Sequence, residues 1–239
     1  MSKIITVVGA GGKTTIAKTL GNALSRMGKR ALFTTTTQIR RPADIPVTVG
    51  GIGTIPPSVG LSSAAKEQTV AGKLKGFSGE EIDALAQKDL FDFIIVEADG
   101  AKGRPVKAPE AWEPVYPAAT FLAIGIIGLD CLGQPLSDRV VHRSARFAKI
   151  TGANPGETLT LRHLLALIRH PDGLFRYVPP GAKKVVLLNK ADLYEVTQAE
   201  MLKFTAGSGL SVILASRDKN WADAFIHTYI FTEGYSANE

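Results

Sequence analysis

The chain has 239 residues, 45% of them hydrophobic, which suits one large α/β domain with a sizeable core better than two small ones. Lys and Arg number 28 against 22 Asp and Glu; the net charge of +6 is scattered, which leans weakly to an anionic ligand and carries no nucleic-acid signature. A single cysteine, Cys131, excludes an internal disulfide and a cysteine-cluster metal site, no apolar run reaches the ~18 residues of a membrane span, and the N-terminal run is too short for a signal peptide, so a reducing, cytoplasmic setting is expected.

In chain order, KIITVV (3–8) reads as a buried strand. Residues 14–27 read as a helix with Ile16, Leu20, Ala23, Leu24 and Met27 on one face. RALFTTTT (30–37) is a second strand. Residues 38–77, rich in Gly, Pro and Ser, are expected to form an irregular insertion. A helix over 78–88 opens with the capping box Ser78 and Glu81, and FDFIIVEA (91–98) is a third strand. Four prolines, at 105, 109, 114 and 117, mark a loop before TFLAIGIIG (120–128). A helix from Thr160, the strand KKVVLLN (183–189), a helix with the box Thr197 and Glu200, and LSVILAS (210–216) complete the reading. Continuous Val/Ile/Leu runs fit parallel strands covered on both faces. The expected fold is therefore a single α/β domain over 1–239, with a doubly wound, mostly parallel sheet of P-loop NTPase type. Its ligand belongs outside the C-terminal strand ends.

Three motifs sit at those ends. VVGAGGKTT (7–15) joins the first strand to the first helix. Gly9, Gly11 and Gly12 let backbone N–H groups approach phosphate oxygens, Lys13 adds a full positive charge, and the Thr14 hydroxyl suits Mg²⁺, with Thr15 beside it. The usual leading Gly, five residues before Gly12, is here Val7. VEADG (96–100) ends the third strand. Glu97 and Asp99 are two apart, share one face of an extended chain, and suit a Mg²⁺ shell, while the Gly100 N–H can serve a terminal phosphate. VVLLNKADL (185–193) ends another strand. The Asp192 carboxylate matches the N1–H and N2–H₂ donors of guanine. Asn189 can meet the other edge of the base and tie its loop to the first motif, and the Lys190 stem can lie on the purine. Lys13 and Glu97 are the expected catalytic pair, and Mg²⁺ with GTP, or ATP as the alternative, the expected cofactors.

The order GKTT, ExxG, NKxD resembles the SIMIBI class of GTPases, which includes the CobW, UreG and HypB metallochaperones. Over nearly its full length the chain is more similar to the YqeC family. GAGGKTT (9–15), TTTT (34–37), EADGAKGRPVKAP (97–109), GIIGLD (125–130), VHR (141–143) and LLNKAD (187–192) carry that likeness. The resemblance implies a P-loop fold and an accessory role in maturing a selenium-dependent molybdenum hydroxylase. That enzyme or its cofactor-maturation proteins would then be the partner.

Other residues are balanced between readings. Thr34–Thr37 can serve Mg²⁺ or substrate, or simply favour a strand. Lys102, Arg104 and Lys107 can meet an anion or line a solvated face. His142 and Arg143 read as surface positions. His142, His163, His170 and His227 lack metal-ligand spacing, and Cys131 reads as a small buried hydrophobe. Three functions compete: a GTP-hydrolysing switch, an ATP-dependent ligase or kinase on a small acid, and a non-hydrolysing nucleotide scaffold. Base preference separates the first two, and single-turnover hydrolysis with a partner separates the third.

Overall fold

In a computed structural model, which describes residues 1–218 and 220–231, Ile4, Ile5, Val7 and Val8 are all inaccessible to solvent. Successive residues of a strand point to opposite faces, so this run is buried only if both faces are covered. They are. Ile5 and Val7 pack with Ile16, Leu20, Leu24, Phe225 and Ile226 on one face. On the other, Val8 packs with Phe147, Leu164, Leu167 and Phe204, and Ile4 with Ile82, Leu85 and Phe91.

The sheet strands are β1 (Lys3–Gly9), β2 (Ala31–Thr35), β3 (Val47–Val49), β4 (Leu61–Ala65), β5 (Phe93–Glu97), β6 (Thr120–Gly128), β7 (Lys183–Asn189) and β8 (Ser211–Ala215). The helices are α1 (Lys13–Arg26), α2 (Gly79–Gln87), α3 (Ser144–Thr151), α4 (Leu161–Arg169), α5 (Gln198–Ser208) and α6 (Trp221–Ile226). Strand order is β8-β7-β6-β1-β5-β2-β4-β3, and every neighbouring pair is parallel. The expected doubly wound α/β fold is what the chain adopts.

From β1 the chain passes to β2 and out to the edge at β3, returns through β4 to β5 beside β1, then crosses to β6 on the other side of β1. That reversal opens a crevice beyond the C-terminal end of β1. Gly9, Glu97, Gly128 and Asn189, the last residues of β1, β5, β6 and β7, stand side by side there.

Residues 38–77 differ from the expectation of an irregular insertion. They supply β3 and β4 to the main sheet, and a small antiparallel sheet of Gln38–Arg40, Lys73–Lys75 and Glu67–Gln68. Helices α3 and α6 were also not anticipated. Both expected capping boxes form: Ser78 with Glu81, and Thr197 with Glu200. Asp92 accepts hydrogen bonds from the Arg30 backbone and guanidinium, tying the start of β5 to that of β2. The expected domain's last stretch, 232–239, lies outside the described residues.

Candidate functional site

The turn from β1 into α1 is shaped by close backbone approach. Gly11 has φ +85°, and a Cβ there would lie 2.2 Å from the Gly128 backbone nitrogen. Gly12 has φ +124°, with the Asn189 amide where a side chain would go. No side chain caps α1 and no acidic residue occupies its first turn. The N–H groups opening α1 (Lys13, Thr14 and Thr15) thus face the crevice with the positive end of the helix dipole behind them. The loop itself is pinned: Ala10 N–H donates to Ile126 O at 2.9 Å and Gly11 N–H to Arg104 O at 3.0 Å.

Lys13 is only 4% exposed. Its ammonium donates to Gly9 O at 2.6 Å, lies 3.1 Å from Asp99 Oδ1 and 3.9 Å from Glu97 Oε1. The Thr14 hydroxyl donates to Glu97 Oε2 at 2.7 Å. Register explains the meeting, since Val7 of β1 pairs directly with Glu97 of β5. Burial pushes the Glu97 carboxyl above the usual range, against the opposing pull of Lys13 and Thr14. Thr35 Oγ1 donates to Glu97 O at 2.6 Å and Thr34 Oγ1 to Ala64 O, so these two threonines hold backbone at the end of β2.

Asp99 stands between two lysines. Its Oδ2 accepts the Gly9 N–H at 3.1 Å and lies 3.0 Å from Lys107 Nζ, while Oδ1 faces Lys13. Gly100 contributes its carbonyl, which accepts from Lys107 Nζ at 2.8 Å. Lys107 is 1% exposed, so its solvated-face reading is corrected: the flanking Val106 and Ala108 are fully buried and take it inward with them. Lys107 also pairs with Glu113 at 2.7 Å, and Glu113 with Arg143 at 2.6 Å. Burial raises the Glu113 carboxyl, but the Arg143 and Lys107 hydrogen bonds outweigh it and hold it at about 2. Arg143, expected on the surface, is half-buried by this pairing. His142 lies on the short strand Val141–His142, paired with Val106–Lys107. Burial, then the charges of Arg143, Lys107 and Lys102, press its imidazole down to about 4.

At the end of β7, Asn189 Nδ2 donates to Gly11 O at 2.7 Å, joining this loop to the first motif. Lys190 adopts φ +64°, and its ammonium lies 2.5 Å from Asp130 Oδ2. Asp192 stands at the loop's exposed side, its carboxylate 3.8 Å from Arg217 Nε. Cys131 is buried and its thiol pushed up to about 12, chiefly by that burial. His163 is also buried: its Nδ1 accepts the Thr160 N–H at the start of α4.

The structure therefore gathers Gly9, Gly11, Gly12, Lys13, Thr14, Thr15, Glu97, Asp99, Gly100 and Asn189 about one crevice, with Lys190 and Asp192 on the adjoining loop. Sequence reasoning missed Glu113 and Asp130 and gave Arg143 no role. The available signal was a lysine and an arginine set among apolar neighbours in VKAP and VVHR. No group of three or more His, Cys, Asp or Glu side chains that could hold a metal occurs among the described residues. Mg²⁺ asks for less, since it is met by one or two hard oxygen donors with water and phosphate completing its shell. The Thr14 hydroxyl and Glu97 carboxylate fit that demand.

A family model described as YqeC protein matches residues 5–145. An Escherichia coli (strain K12) relative, Uncharacterized protein YqeC, is 39% identical over 208 residues, covering 84% of this chain and 81% of the relative. The matched span holds the β1–α1 turn, Glu97, Asp99, Lys107, Glu113 and Arg143, and on this evidence the chain belongs to the YqeC family.

Proposed function

We propose that this protein is a Mg²⁺-dependent nucleoside triphosphatase preferring GTP, and an accessory factor in the maturation of a selenium-dependent molybdenum hydroxylase. One observation carries the chemistry: a buried lysine opens an uncapped helix beside Thr14 and Glu97, which are already hydrogen bonded to each other. Phosphoryl transfer needs positioning and charge stabilisation more than covalent chemistry. The Lys13, Thr14 and Thr15 amides and the Lys13 ammonium would hold the phosphates. Thr14 and Glu97 would hold Mg²⁺, whose charge offsets that of the transferring phosphoryl group. Guanine preference is supported by the Asn189 tie to Gly11 O, which sets the loop bearing Asp192 beside the phosphate site. The client enzyme rests on the family resemblance alone.

The test is competition of GTP and ATP against a fluorescent nucleotide, with and without Mg²⁺, followed by single-turnover phosphate release. Tight GTP binding with Mg²⁺-dependent release is expected. ATP preference would promote the ligase or kinase reading. Binding without release, even beside a candidate client, would leave a scaffold.

A further inference from the structure

Lys13, Asp99, Lys107, Glu113 and Arg143 alternate in sign along one continuous strip, from the α1 N-terminus through the end of β5 to the start of α3. Its core is buried: Lys13, Asp99 and Lys107 are each at most 4% exposed. We propose, building on the nucleotide-binding reading, that Lys107 is a positioning residue. It is the stand-by counter-ion that lets Asp99 release Lys13 to an incoming triphosphate.

The argument is one of charge balance. Lys13 is held by Gly9 O and Asp99. To serve phosphate oxygens its ammonium must give up part of that pairing. A carboxylate left alone in a buried site is strongly disfavoured. Asp99 is not left alone, because Lys107 already sits 3.0 Å from its other oxygen. Glu113 competes for the same ammonium at 2.7 Å. The strip thus sets how firmly Asp99 grips Lys13, through side chains that need never touch the nucleotide.

Opposite signs follow for two neighbouring substitutions. Lys107→Met leaves Asp99 dependent on Lys13, and triphosphate affinity should fall about tenfold or more. Glu113→Gln frees Lys107 for Asp99 and loosens its grip on Lys13, and affinity should rise by roughly two- to fivefold. Asp99→Asn in the Lys107→Met background removes the grip and should restore most of the lost affinity. A residue that merely props up the loop would weaken binding in both single variants.

The experiment measures GTP affinity in the presence of Mg²⁺, by competition against a fluorescent GTP analogue, for wild type, K107M, E113Q, D99N and D99N/K107M, each checked for folding by circular dichroism. If K107M does not fold, the sign of E113Q and the near-equality of D99N and D99N/K107M carry the test. Unchanged or weakened binding in E113Q overturns the inference. So does failure of D99N to restore K107M, since that marks direct contact of Lys107 with phosphate. A wild type that binds no triphosphate overturns the nucleotide reading and this inference with it, whereas a wild type that binds normally confines any failure to Lys107.

Discussion

Lys13 and Asp192 show how differently two motif residues are embedded. Lys13 is buried against Glu97 and Asp99, so Lys13→Ala should abolish triphosphate binding and also lower stability. The stability loss should stay below the ~3–5 kcal/mol of a fully orphaned buried charge, because Lys107 remains on Asp99. Calorimetry and urea melts check both parts, and unchanged GTP and ATP affinity would remove the phosphate role. Asp192 is an exposed residue whose partner among the described residues is the distant Arg217, so its loss should barely change the stability of the free protein. Its effect belongs to recognition. Asp presents two acceptors to guanine N1–H and N2–H₂, whereas Asn presents one acceptor and one donor. Facing a donor with a donor costs on the order of 1–3 kcal/mol, roughly ten- to a hundredfold in affinity. Xanthine carries a carbonyl in place of that amino group, so Asp192→Asn should weaken GTP, favour xanthosine triphosphate and leave ATP unchanged. Competition binding with the three nucleotides decides it, and an unaltered GTP affinity would reduce NKAD to a turn.

At the scale of elements, legibility followed the length of the bulky apolar run. The interior strands β1, β5, β6 and β7 were visible because a strand covered on both faces must be apolar throughout. β3 (VTV) and β4 (LSSAA) were hidden because β3 is an edge strand only part-covered, and β4 beside it uses Ser and Ala where larger side chains would signal a strand. α3 was hidden for another reason: the residue before it, Arg143, sits at φ +67° with no side-chain cap, so no start signal exists. The segment from 38 to 77 is nevertheless tightly fitted. Gly76 N–H donates to Thr37 O and Phe77 N–H to Thr35 O, fastening the Lys73–Lys75 strand to the end of β2. A Cβ at Gly76 would fall 1.6 Å from Thr35 O, a backbone atom that cannot swing aside. Gly76→Ala should therefore destabilise by ~3 kcal/mol or more through overpacking. It should also raise proteolytic sensitivity within 38–77. An unchanged urea midpoint would show that the segment docks loosely on the sheet.

For the whole molecule, the strand ends that meet ligand were readable as local motifs, but the charge strip behind them was not. Glu113 and Arg143 are thirty residues apart and meet only because Val106–Lys107 pairs with Val141–His142. That same pairing lays His142 against three cations, Arg143, Lys107 and Lys102, with Glu113 and Asp138 as opposing charges. The consequence is a stability that falls in acid by two stages. A histidine held neutral in the fold at about 4, against 6.5 when free, makes the unfolded chain bind more protons between those values. Stability from this group is full above 6.5 and is lost as pH falls towards 4. Glu113, held at about 2 against 4.5, contributes fully above 4.5 and loses that contribution as pH drops further. Glu97 runs the other way: its raised carboxyl favours the fold as pH falls to 4.5, and so masks part of the first stage in a simple acid titration. A paired comparison removes the masking. His142→Asn keeps a side chain of similar reach, cannot take up the proton, and leaves Glu97 and Glu113 in place. Urea midpoints of wild type and variant should differ by a constant amount from about pH 7.5 down to 6.5, after which wild type should lose ground steadily towards pH 4. A difference that stays constant across that range would mean that protonation of His142 costs the fold nothing, and that the three cations are screened from it by solvent.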